Sequence, residues 1–295
     1  MMFGKIYLFI CLIILSSITS RRLRRIRKQS NISIPVDKHI PFHLNERISG
    51  FTPALPLYFQ KFIPISYCNS EEIANNNCCM EETFKEGWIR VKQFAIDIES
   101  ESKKKLLTIK GDKKYNFQAF VNLNNKKVLF LFPGTRNGFT QLYYEGNSSN
   151  MKRLINNFDA VSYFYDLYSI MREEVIRAIT FEIADIVPDI DQFQYIFEGH
   201  SLGGAIATWA AYDYALLQKE KKKKIEDSPV LITFGSPSIG NKELVNDVNA
   251  SIKHIFRIAA DFDIVTYLPP WGTPTKGYIR VSEDGTKMID CEKNK

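Results

Sequence analysis

Between residues 193 and 261 short apolar runs and helical stretches alternate: FQYIFEG, a helical stretch from Leu202 to about Gln218, PVLITFG, a second helical stretch near NKELVNDV, and HIFRIAAD. Apolar runs of this kind suit strands covered on both faces, and strands that alternate with helices form parallel sheets. The pattern therefore predicts an α/β chain with a mostly parallel central sheet and helices on both faces. KKVLFLFPGT, ending at Thr135, adds a buried strand stopped by Pro-Gly, and LLTIKG with YNFQAFVNL reads as hairpin strands before it. From 161 to 186, apolar residues recur at helical spacing up to Pro188, which predicts a long amphipathic helix. Residues 66–98 read as a helical segment and then an extended one. Nothing within 66–295 repeats or resembles a linker, so one domain is expected there, preceded by a polar, proline-bearing arm over 21–65.

The first twenty residues carry an early lysine, an apolar run from Ile6 to Leu15 and then small hydroxyl residues, the layout of a secretory signal. RRLRRIRK follows at 21–28, either a solvated basic arm or a dibasic processing site of a pro-segment. The formal charge of +6 rests largely on this run and on KKKK at 221–224. Neither interleaves with aromatic residues, so no nucleic-acid groove is expected. Without the signal, Cys68, Cys78, Cys79 and Cys291 remain, and an oxidising compartment predicts disulfides of unspecified pairing. Cys78 and Cys79, being adjacent, should have separate partners. No histidine joins them at zinc spacing, so no metal is expected there. Asn31, Asn147 and Asn249 begin Asn-x-Ser acceptors for glycans.

GHSLG at 199–203 fits G-x-S-x-G in the context its mechanics require, with a strand before it and a small-residue helix after it. Ser201 would sit in a strained turn, Gly199 and Gly203 would permit close approach around His200, and the helix start would aim amides at developing negative charge. Together with FGSPSIGN at 234–241 and DFDIVTYLPP at 261–270, FEGHSLGGAIATWAA resembles the class 3, fungal-type lipases of the α/β-hydrolase superfamily, over roughly residues 66–290. The resemblance implies Ser201 as nucleophile and Asp263 as the acidic member of a triad, with Asp261 the competing carboxylate two residues away. It implies an oxyanion hole from Leu202 and Thr135, the latter in the turn with Gly134 after Pro133. It also implies a lid between Asn137 and Asn150, and a secreted enzyme that hydrolyses acylglycerols or other lipid esters at a lipid-water interface, with no cofactor. Phospholipids, feruloyl esters and small soluble esters are the alternative substrates.

A serine acyl transfer requires a base. His200 precedes the serine and should point away from it. His254 begins the strand that ends near Asp263, about 30 Å from the site at some 3.3 Å per residue. His39 and His43 lie in the arm. The resemblance places the base on a loop well downstream of Leu-Pro-Pro, where this sequence has no histidine and no cysteine after Cys291. The expectation is a chain whose remaining C-terminal segment carries both; the competing expectation is a non-catalytic lipid-binding relative. Without a base, turnover should fall about a millionfold.

Overall fold

The computed structural model describes residues 33–35, 42–68, 85–105, 114–135, 151–154, 157–187, 189–283, 285 and 287–291. In chain order the elements are β1 (Ser33–Pro35), α1 (Ala54–Phe59), α2 (Phe62–Ser66), β2 (Ile89–Asp97), α3 (Ile98–Lys104), β3 (Lys114–Asn122), β4 (Lys127–Phe132), β5 (Met151–Arg153), β6 (Asp159–Val161), α4 (Ser162–Arg177), β7 (Gln194–His200), α5 (Leu202–Glu220), β8 (Val230–Phe234), α6 (Lys242–Ser251), β9 (His254–Ala260), β10 (Tyr278–Val281) and β11 (Lys287–Asp290). Nine strands form one sheet in the order β1-β11-β10-β9-β8-β7-β4-β3-β2. The five from β10 to β4 are mutually parallel, and the antiparallel pairs lie toward the two edges.

The centre follows from the apolar runs. Every residue of β4 and β8 is buried, as a strand covered on both faces must be. The order β4, β7, β8, β9 advances in one direction, so right-handed crossovers put α4, α5 and α6 on the same face. There Phe164, Leu167, Met171, Ala207 and Leu244 build one core against Phe130 and Phe197.

The opposite face is closed by the N-terminal region. Leu55, Phe59 and Phe62 of α1 and α2 are wholly buried over Leu129, Leu131, Ile196 and Ile232, with Trp88 beside them. The packed fold thus extends N-terminal of residue 66, into a segment whose prolines and polar residues read as an arm. Leu55, Phe59 and Phe62, spaced along α1 and α2, carry that packing, and β1 adds an edge strand to β11. Helix α3 also differs from the sequence reading, which made no helix there. Asp97 caps it by accepting the Ser100 amide at 2.8 Å, and Lys103 pairs with Glu99 across one turn. The segment LLTIKG, the expected lid, Cys78, Cys79, Asn31, Asn147 and His39 lie outside the described residues.

Candidate active site

Ser201 stands between the end of β7 and the start of α5 with φ 53° and ψ −124°, a backbone conformation that L residues seldom adopt. Its amide donates to Phe234 O of β8 at 2.8 Å, and its hydroxyl makes no helix-capping bond. Close packing holds this turn. A Cβ on Gly199 would lie 2.0 Å from Gly203 O, and one on Gly203 would lie 2.1 Å from Phe132 O of β4. The helix therefore starts hard against two neighbouring strands, and Leu202, its first residue, presents an amide with no acceptor inside the helix.

The turn after β4 meets the serine from the side. A Cβ at Gly134 would sit 3.1 Å from Ser201 Cβ, which places Gly134 beside the serine side chain, with Thr135 next in the chain. Pro133 is tied back by the Tyr115 hydroxyl, which donates to its carbonyl at 2.7 Å.

Asp263 follows β9 and adopts extended backbone at the head of a 3-10 turn, Ile264–Tyr267. One carboxylate oxygen accepts the Val265 amide at 3.0 Å; the other lies against Gly235, where a Cβ would come within 2.8 Å of it. Gly235 takes φ 60° directly after β8. Ser201 and Asp263 thus occupy the same edge of the sheet, on strands separated by β8, or about 10 Å at two interstrand spacings. A neutral or charged imidazole with a hydrogen bond at each end fits a gap of that order. Burial raises the pKa of Asp263, opposed by the Val265 amide and by Arg257. Arg257 is buried in β9 and donates to Thr266 O at 3.0 Å, while the Thr266 hydroxyl donates to Asp263 O at 2.7 Å, so the turn is fastened from beneath. Asp261 is engaged elsewhere, paired with Arg280 at 3.0 Å. Phe262, Ile264 and Tyr267, which flank Asp263, are 47%, 47% and 58% exposed, an apolar rim.

His200 is the last residue of β7, and Ser201 follows it in the turn. The Nδ1 of His200 lies 2.7 Å from the Tyr67 hydroxyl, and burial pushes its pKa down to about 4. His254 is the first residue of β9, at the far edge of the sheet. His43 is exposed in the segment before α1. Among the described residues, then, no histidine stands between Ser201 and Asp263. A shallow hollow of about 380 Å³ lined by Trp88, Ile89 and Leu123 belongs to the β3-β4 hairpin end, also opposite the serine. Cys68 is disulfide-bonded, to a cysteine outside the described residues, and Cys291 is a free thiol. Asn249 lies in α6, where its side-chain oxygen accepts the Lys276 amide.

Neither Tyr67 nor Arg257 carries a local sequence signal of its role: one precedes Cys68 and the other sits inside an apolar run, and the partners of both are distant in sequence.

Residues 130–273 match the family model described as Lipase (class 3). A secreted mono- and diacylglycerol lipase A of Penicillium cyclopium is 29% identical over 121 residues, 41% of this chain and 35% of that protein. A secreted mono- and diacylglycerol lipase 1 of Fusarium solani is 35% identical over 99 residues, 33% of this chain and 27% of its own length. The chain spans about a third of the length of the curated relatives it matches. Among solved structures, the triacylglyceride lipase of Rhizomucor miehei superposes with a TM-score of 0.62 at 19% identity, covering 80% of this chain and 82% of that one. Lipase II from Rhizopus niveus gives 0.62 at 19% identity, covering 81% and 85%. The family match runs from β4 past the Asp263 turn, and over that stretch the chain, which has an α/β-hydrolase fold, is similar to the class 3 lipases.

Proposed function

We propose that this protein hydrolyses carboxylic ester bonds of acylglycerols through an acyl-enzyme on Ser201. The observation that carries the reading is Ser201 itself, a non-glycine residue at φ 53° on a strand-to-helix turn, with Asp263 two strands away on the same edge. Such strain persists at sites that use it. In the reaction Ser201 Oγ attacks the ester carbonyl carbon while a base seated between Ser201 and Asp263, a place that none of His43, His200 and His254 takes, removes the hydroxyl proton. The amide of Leu202 and the Thr135 residue hold the oxyanion, and Asp263 orients that base and balances its charge. The alcohol leaves with the proton, and water releases the fatty acid by the same steps in reverse roles. The exposed rim of Phe262, Ile264 and Tyr267 suits approach to a lipid surface. A secretory signal over residues 1–20 accords with relatives that are named as secreted, and a domain that includes residues 66–295 accords with the likeness to lipase structures.

The head group is the finer question, since a phospholipase A1-Igamma2 of Arabidopsis thaliana is also 29% identical, over 100 residues. A second reading, lipid binding without catalysis, is favoured by the placement of His43, His200 and His254 away from the gap. The two are separated by assaying the purified protein on p-nitrophenyl butyrate, dicaprylin and a short-chain phosphatidylcholine beside Ser201→Ala. Turnover that disappears in the variant supports the lipase reading and ranks the head groups. Lipid binding without turnover in either protein supports the second reading, and turnover that survives Ser201→Ala removes Ser201 as nucleophile.

A further inference from the structure

The Tyr67 hydroxyl joins three parts of the chain. Tyr67 follows α2 directly, its hydroxyl accepts the Gly134 amide at 2.9 Å, and it lies 2.7 Å from His200 Nδ1. A Cβ on Gly134 would come 2.4 Å from this oxygen, 2.8 Å from His200 O and 3.1 Å from Ser201 Cβ, so phenol, turn and elbow converge on one glycine. The segment that carries Tyr67 is itself pinned to the sheet, because Gln118 Nε2 donates to Ile65 O at 2.7 Å and Gln93 Nε2 to Cys68 O at 3.1 Å.

We propose that Tyr67 is a positioning residue for the oxyanion turn: it draws the Gly134 amide away from the reacting carbonyl and leaves Thr135 and Leu202 as the donors. The inference rests on the lipase reading above. The phenol oxygen accepts from Gly134, and in the His200 tautomer that carries its proton on Nε2 the O–H donates to Nδ1. That tautomer is a neutral imidazole, which the depressed pKa of His200 favours. A phenylalanine at 67 would leave both the Gly134 amide and His200 Nδ1 without this partner, and the turn would no longer be held in register with the elbow.

The test uses the full chain and phenylboronic acid, which adds to a serine hydroxyl to form a tetrahedral adduct whose oxygen occupies the oxyanion position. Boron NMR of the unmodified protein should show the tetrahedral species, and Ser201→Ala should not. Tyr67→Phe should weaken the adduct at least tenfold in a protein that still melts cooperatively, and where ester turnover is measurable it should lower kcat while KM stays put. Should Tyr67→Phe not fold, 3-fluorotyrosine at position 67 keeps the shape, and its fluorine resonance should move when boronate is added and stay fixed in Ser201→Ala. Affinity within twofold in a folded Tyr67→Phe, or a silent fluorine signal while the adduct forms, overturns the positioning role and leaves the lipase reading intact. No adduct in the unmodified protein removes the lipase reading, and with it the reaction Tyr67 would serve.

Discussion

Glu198 is the side chain whose surroundings suit it least. It is fully buried in β7, between Leu131 of β4 and Ile232 of β8, and neither carboxyl oxygen has a hydrogen-bond partner. Burial raises its pKa well above the ordinary carboxylate value, with only the attraction of Lys61 opposing. Above about pH 4.3 the unfolded chain releases this proton and the folded one keeps it. The folded state then binds one proton more, so stability falls by about 1.4 kcal/mol per pH unit until the folded carboxyl also ionises. Glu198→Gln keeps the shape and cannot ionise. Relative to the parent, it should gain roughly 3 kcal/mol between pH 5 and pH 7 if the folded carboxyl stays protonated across that range. His200 works in the other direction, because its lowered pKa makes stability rise with pH over about 4 to 6.5. It does so in both proteins and cancels in the difference. Urea unfolding of parent and variant at pH 5, 6 and 7, under non-reducing conditions, measures this directly. Parallel pH profiles would refute the assignment of a neutral, unpartnered carboxyl. Glu198→Leu, which removes both unpaired oxygens, should be more stable than the parent at pH 7 by a further 1–3 kcal/mol or so.

Gly203→Ala should cost about 3 kcal/mol or more, because its Cβ would meet the carbonyls of Phe132 and Pro133 at 2.1 and 2.5 Å and neither strand nor helix can yield freely; an unchanged urea midpoint contradicts the packing described. Lys127 is 2% exposed, without an ion pair among the described residues, and burial first and Arg47 second push its pKa down to about 8. The unfolded lysine keeps its proton to about pH 10.4, so the parent gains stability as pH rises from 8 toward that value. Lys127→Met should therefore stabilise by roughly 2–3 kcal/mol at pH 7 and lose the advantage near pH 10.5, and a thermal melt at the two pH values decides it.

The parallel centre was legible because burial on both faces writes itself into VLFLF as five apolar residues in a row and into VLITF as a run interrupted only by Thr233. The elbow was legible for a different reason: only glycine fits at 199 and 203, and a serine between them has few structural excuses. Asp263 could be singled out from Asp261 only by resemblance, since both are aspartates at a strand end. The structure separates them through partners, Arg280 for one and the Val265 amide with Gly235 for the other. Long-range contacts were not legible. Tyr67 reaches Gly134 and His200 across 67 and 133 residues of sequence, and no local spacing encodes such a meeting. The same holds for α1 and α2, whose aromatic residues look unremarkable until the bare face of the sheet is seen to need a cover.

The pairing of β1 with β11 has a temporal side. Ser33 sits opposite Ile289, so the first described strand waits for one of the last before it finds a partner. During synthesis every other strand of the sheet can assemble while this edge stands empty, and closing a loop of about 250 residues for three pairs of residues is slow and returns little. Hydrogen exchange should find β1 the earliest strand to open, and a ribosome-bound chain stopped before Lys287 should hold the elbow folded with its N-terminal strand still loose.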